Sequence, residues 1–276
     1  MSKTSVLSEE QIRQFRTEGY TVAERLFDAD EVAAMQAEVL RFQTDGLIRN
    51  VSTDGDGSTH SKTKQNLQLC PMSPHSDLFK ALPFDDRVKS AVGTLLDGDV
   101  VLHLDQIFLK PGLSGTGTGW HQDNTYFNAT DPMAGTAMWI AVHDATIGNG
   151  TMRVAPNEWR EPLPHERDPG SDHHLRCEPS DPLSSVALEI PAGSAAFFCY
   201  GTPHCTMGNN TTKPRAGAAF HFLRQDAIAS SGQAQLFREN RDDRPVLTGP
   251  DATNGVKEYG SDWSGRFAEV VRSING

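Results

Sequence analysis

Between residues 99 and 224 the chain is cut into short apolar runs, DVVLHLDQIFLKPG, GTAMWIAVHDAT, SVALEIPAG, SAAFFCYGTPHCTM and PRAGAAFHFLR, each bounded by glycine, proline or asparagine. Their length and punctuation are those of antiparallel strands that reverse at turn residues. Each such strand must bury a face, so this part of the chain is restricted to a few sheet-on-sheet solutions. The flanks read differently. Ser8, with Glu9 and Glu10 ahead of Ile12, Phe15 and Gly19, predicts a helix with an acidic first turn and a glycine stop. Asp28 predicts the cap of a second helix whose apolar face carries Val32, Met35, Val39 and Phe42. A third helix is expected over Asp85 to Leu96 and a last one over Asp262 to Ile274. Helices first and strands afterwards predict an α+β fold, mainly β: a sandwich or jelly roll with helices packed on one face.

The 276 residues contain no internal repeat and no convincing linker, so a single domain over 1–276 is expected. The polar, glycine-rich stretch from Asp45 to Gln65 reads as either a functional lid or a disordered loop. A net charge of −11 supplies no basic field for a phosphate backbone, which argues against nucleic acid as a partner. No apolar stretch approaches 18 residues and no signal-peptide pattern opens the chain, so the expectation is a cytoplasmic protein without a membrane partner. Cys70, Cys177, Cys199 and Cys205 lack CxxC spacing and are expected to be reduced and structural.

The chemistry concentrates in two places. In GTGTGWHQDNTYF, a strand would turn His121 and Asp123 to one side and Gln122 to the other. An HxD triplet alone is common, but His204 follows 83 residues later in a second strand-like segment. Two imidazoles and one carboxylate on one face, with other coordination positions open, form the facial triad of non-haem Fe(II) oxygenases. Arg215, 11 residues past His204, would, if it projects toward the metal, be a natural bidentate partner for the distal carboxylate of a bound keto acid.

On these residues the chain resembles the phytanoyl-CoA dioxygenase family of Fe(II)/2-oxoglutarate-dependent oxygenases, over about Ser8 to Arg224. The likeness rests on KPG followed by WHQD and an aromatic (Lys110 to Phe127), on the tryptophan strand with NGTMRVAP (Trp139 to Pro156), and on the H-x-T-x-x-N…R block from His204 to Arg215. It implies a double-stranded β-helix (jelly roll, cupin-like) core with flanking N-terminal and C-terminal helices. It also implies Fe(II) held by His121, Asp123 and His204, and 2-oxoglutarate anchored by Arg215 with help from Thr206. Trp139 would line the cosubstrate pocket or serve as a core tryptophan, and Gln106 would touch cosubstrate or substrate. Lys64 would reach the cosubstrate or an anionic substrate, or remain solvated. The implied reaction consumes O2, releases succinate and CO2, and hydroxylates a C–H bond of a small molecule. Halogenating relatives lack the ligand carboxylate, so Asp123 favours hydroxylation. The family's glycine-serine-histidine turn is replaced by Pro156, Asn157, Glu158 and Trp159, which bears on substrate shape. Monomer and homodimer are both compatible with the sequence.

Two other readings stay open at this stage. The same triad suits a Zn-dependent hydrolase or isomerase, which would leave Arg215 without a role, and a jelly-roll binding protein without turnover would keep the fold alone. His60, His75, His103, His143, His165, His173 and His174 show no ligand pattern and are expected on the surface or satisfied in the core. His221 shares the period-two face of Arg215 and is expected either to line the pocket or to sit in the core.

Overall fold

Helix α1 (Glu9–Glu18) starts at Ser8, whose side chain accepts from the Gln11 N–H while Gln11 reaches back to the Ser8 N–H, and it stops at Gly19 in the left-handed conformation. Helix α2 (Ala29–Thr44) repeats this capping box with Asp28 and Glu31. Two further helices follow, α3 (Asp77–Ala81) and α4 (Asp86–Leu96), the latter capped by Asp85. Short helices α5 (Asn124–Phe127), α6 (Gln225–Ser230) and α7 (Val256–Tyr259) precede the C-terminal α8 (Phe267–Asn275). The computed structural model describes residues 6–230 and 244–276.

The strands form two main antiparallel sheets. The larger joins β1 (Tyr20–Ala23), β11 (Ala195–Cys199), β6 (Gly135–Ala141), β13 (Arg215–Arg224), β4 (Val100–Lys110), β3 (Leu67–Leu69) and β2 (Arg49–Asn50), in that order. The smaller joins β10 (Val186–Ala187), β7 (Met152–Val154), β12 (His204–Thr206) and β5 (Thr118–His121). A two-stranded ribbon, β8 (Glu166–Arg167) with β9 (Leu175–Arg176), stands beside β5.

Period-two alternation sorts the large sheet into two faces. Met138 and Ile140 of β6, Phe197 of β11, and Ala218 and Phe220 of β13 pack outward against Phe15, Phe42, Phe79 and Val92 of the helices. Their neighbours Trp139, Ala196, Phe198 and Ala219 turn inward, where they meet Met152 and Val154 of the small sheet. Each fully buried phenylalanine here contributes about 2–3 kcal/mol of burial, so the helical layer holds the large sheet rigid behind its inner face. This is the α+β, mainly β jelly roll that the sequence predicts.

One helix boundary differs from expectation. The last helix begins at Phe267 rather than Asp262, because the Asp262 carboxylate accepts from the Ser264 N–H in a local turn and Gly265 adopts a positive φ. Strand β1 lies between two helices and pairs with β11; its four residues are too few to show a period. Residues 45–65 are built into the fold: Arg49–Asn50 pair with β3, and the Thr53 and Gly57 N–H groups donate to the carbonyls of Gly170 and Pro169. Among the described residues, no helix is long and apolar enough to cross a membrane.

Candidate active site

His121 and His204 are direct cross-strand partners in the small sheet, and their ring centroids lie 4.2 Å apart. Strand β5 ends at His121. Asp123 therefore takes its place by a mechanism other than strand alternation: its backbone is already helical (φ −58°, ψ −31°), and the turn into α5 folds the carboxylate back. Its Oδ1 lies 3.8 Å from His121 Nε2 and 3.7 Å from His204 Nε2. One ligand atom from each of the three residues falls within 4.8 Å of the others. Gln122 does point away, its amide donating to the carbonyls of Glu161 and Gly201.

The backbone prepares both imidazoles. His121 Nδ1 lies 2.8 Å from the Gly119 carbonyl and His204 Nδ1 3.0 Å from the Thr202 carbonyl. A carbonyl only accepts, so each ring carries its proton on Nδ1 and presents the Nε2 lone pair to the cluster. Burial pushes both rings down to about 4, which keeps them neutral at physiological pH. Two neutral imidazoles and a carboxylate with room beside them fit a divalent first-row metal.

The deep end of the same cavity is cationic. Arg215, fully buried at the start of β13, faces Lys110, buried at the end of β4, across the ladder. One guanidinium nitrogen donates to the Gly150 carbonyl, whereas Nε and Nη1 are buried without a partner. Burial draws Arg215 down to about 10, and burial with the nearby guanidinium holds Lys110 well below the usual lysine range. Among the described residues, neither cation has a carboxylate within ion-pair distance. Lys110 Nζ donates to Thr206 Oγ1 at 2.7 Å, and the Thr118 N–H donates to the same oxygen at 3.2 Å. Thr206 therefore keeps its own hydroxyl proton free to donate. Two buried basic groups and a free hydroxyl with no acidic partner suit an anion, whose charge would offset the cost of several kcal/mol for burying each cation.

These groups share a cavity of about 450 Å³. Trp139 and Gln106 line it as well; the indole lies 5.4 Å from the Arg215 guanidinium, and the Gln106 amide contacts His221. Lys64 is exposed and absent from the wall, because Asn50 holds the Lys64 carbonyl in a turn of the polar segment. His173 and His174, expected on the surface or satisfied in the core, both line the cavity. His174 is buried, bonded to Gln68 at 3.2 Å, and stacks over His121 at 6.4 Å. They sit in an irregular loop that carries no period. Lys110 was visible within KPG, but only the register shows it opposite Arg215. His103 and His143 are satisfied as expected, by Tyr200 and by the Ala216 N–H.

A jelly roll that encloses two histidines and a carboxylate beside an acid-free cationic seat defines the class of the non-haem iron oxygenases. The model of the phytanoyl-CoA dioxygenase family matches residues 15–217. The chain belongs to that family, and with it to the Fe(II)/2-oxoglutarate-dependent dioxygenases. An ectoine dioxygenase of Stutzerimonas stutzeri (strain A1501) is 25% identical over 240 residues, covering 80% of this chain and 78% of the relative. Two solved structures carry the same fold. The non-haem α-ketoglutarate-dependent epimerase SnoN from nogalamycin biosynthesis superposes with a TM-score of 0.66 at 20% identity, over 78% of this chain and 82% of its own. EctD from S. alaskensis, with 2-oxoglutarate and 5-hydroxyectoine, superposes with a TM-score of 0.64 at 24% identity, over 82% and 79%.

Proposed function

We propose that this protein hydroxylates a C–H bond of a small molecule, with His121, Asp123 and His204 as the Fe(II) ligands and Arg215, Lys110 and Thr206 as the seat of the 2-oxoglutarate distal carboxylate. The observation that carries the assignment is the pair of buried, acid-free cations in the same cavity as the triad. A Zn hydrolase would have no use for them. When bound, Fe(II) with 2-oxoglutarate supplies oxidation of a C–H bond by O2, coupled to decarboxylation to succinate and CO2.

The chain's own part is positioning. The Gly119 and Thr202 carbonyls hold the two imidazoles with Nε2 free, and Asp123 supplies negative charge at the ligand position, which a halide would need vacant. Arg215 and Lys110 neutralise the cosubstrate's distal carboxylate, with Thr206 adding a hydroxyl donor. Trp139 and Phe108 line this end, while Tyr126 and His174 lie against the His121 ring and Phe127 against His221. The lining also includes Arg49, Gln68 and His173, polar groups suited to a small polar substrate.

Anaerobic addition of Fe(II) and 2-oxoglutarate to the metal-free protein is expected to develop the visible charge-transfer absorption of a chelated keto acid. Tight Zn(II) binding with no such band would move the hydrolase reading ahead. With substrate and chloride both present, product mass is expected to rise by one oxygen; a chlorinated product would overturn hydroxylation.

Gly217 offers a test confined to the cosubstrate end. A Cβ there would lie 2.4 Å from Trp139 Nε1, so only glycine lets the indole lie across β13 toward Arg215. Gly217→Ala is expected to weaken 2-oxoglutarate binding about tenfold, from roughly 1–3 kcal/mol of overpacking, with Fe(II) affinity unchanged. Calorimetric titration of each separates the two.

A further inference from the structure

Asp123 has two carboxylate oxygens with different surroundings. Oδ1 faces the two ligand imidazoles, whereas Oδ2 lies 3.5 Å from Nδ1 of a third imidazole, His221. Oδ2 and His221 Nδ1 are both buried, and neither has a hydrogen-bond partner. On the far side of the ring, His221 Nε2 lies 3.1 Å from Gln106 Nε2.

The sheet builds this contact. Gln106 on β4 faces Ala219 on β13, and His221 is two residues further along the same face. The small Ala219 side chain leaves the amide room to reach its diagonal neighbour. Phe127, in the turn that Asp123 begins, meets the His221 ring edge-on at 5.2 Å and limits its rotation.

A neutral imidazole has one N–H and one lone pair. An amide nitrogen only donates, so His221 Nε2 accepts and the proton resides on Nδ1, the ring nitrogen 3.5 Å from Asp123 Oδ2. The reversed amide would place the proton on Nε2 and turn the Nδ1 lone pair toward the carboxylate, leaving two buried acceptors face to face.

We propose that Gln106 and His221 are positioning residues: Gln106 sets the His221 tautomer, and the Nδ1–H of His221 holds Asp123 Oδ2 so that the carboxylate offers the metal Oδ1 alone. This rests on Asp123 being an iron ligand. A carboxylate that binds through one oxygen leaves one more coordination position for keto acid and O2 than a chelating one. The contact thus explains two buried polar atoms and gives the Gln106 amide a task other than binding cosubstrate.

The first test needs no variant. In the full-length protein with 15N-labelled histidine, long-range proton–nitrogen correlation is expected to show His221 protonated on Nδ1, both metal-free and loaded with diamagnetic Zn(II). The His221 signal is assigned by its loss in His221→Asn. A proton on Nε2 would overturn the proposal. In the second test, His221→Phe is expected to weaken Fe(II) binding about 10- to 100-fold, and His221→Asn, whose amide nitrogen can replace Nδ1, to recover most of it. Fe(II) binding by His221→Phe equal to that of the wild type would sink the relay, and would leave the iron site standing if Asp123→Ala still loses Fe(II). Undiminished Fe(II) binding in Asp123→Ala would overturn the ligand assignment and the relay with it.

Discussion

Asp123→Ala is expected to abolish substrate-dependent succinate release and the Fe(II)–2-oxoglutarate absorption, while the metal-free variant unfolds at the same temperature as the wild type or higher. Losing an outer partner of a metal ligand already costs about 10- to 100-fold in affinity or activity, so losing the carboxylate itself must cost more. The stability expectation follows from the same residue. Asp123 is 5% exposed and the nitrogen facing its Oδ2, His221 Nδ1, stands 3.5 Å away, too long a contact to offset the charge, so the metal-free fold carries a poorly compensated carboxylate. An uncompensated buried charge costs several kcal/mol, whereas the void left by its three side-chain heavy atoms costs about 1 kcal/mol. Relief of the charge wins. Iron-dependent turnover at the wild-type rate would refute the ligand assignment, and a large fall in melting temperature would show that Asp123 holds the fold.

Arg215→Met is expected to raise the dissociation constant for 2-oxoglutarate by about 10²- to 10³-fold, in the range of about 2–5 kcal/mol for truncating a buried charge pair. Lys110→Met is expected to act in the same direction by a smaller factor, because a single ammonium lacks the forked geometry of the guanidinium. Neither substitution is expected to destabilise the cosubstrate-free protein, since each removes a buried cation that has no acidic partner. Ligand linkage provides the readout: 2-oxoglutarate at 100 times its dissociation constant stabilises the wild type by about 2.7 kcal/mol, a thermal shift that Arg215→Met should lose. A wild-type shift in Arg215→Met would mean that the anion sits elsewhere in the cavity.

Much of this was legible locally. Helix ends are set by side chains within a few residues, so the roles of Ser8, Asp28, Asp85 and Gly19 follow from neighbours in the chain. The period of two places Arg215, Gly217, Ala219 and His221 on one face of β13, and the structure keeps them there. The candidate ligands His121, Asp123 and His204 were recognisable as residue types at motif spacing. For Lys64 a polar loop has no period from which direction can be read; of the two alternatives the structure shows the exposed one, with the Asn50 side-chain amide donating to the Lys64 carbonyl.

By itself, then, the sequence determined the mainly β class, the helix caps, and which residues could be ligands or anchors, since all of these depend on side-chain chemistry and short-range periodicity. Tertiary structure alone decided which of them meet. The pairing of Arg215 with Lys110 and of His121 with His204 depends on strand register across long loops, and a slip of one residue would turn each side chain to the opposite face. The approach of His174 to His121, and of His221 to Asp123 Oδ2, likewise requires two sheets and a loop to close on one cavity, a long-range packing result that no local window of sequence contains.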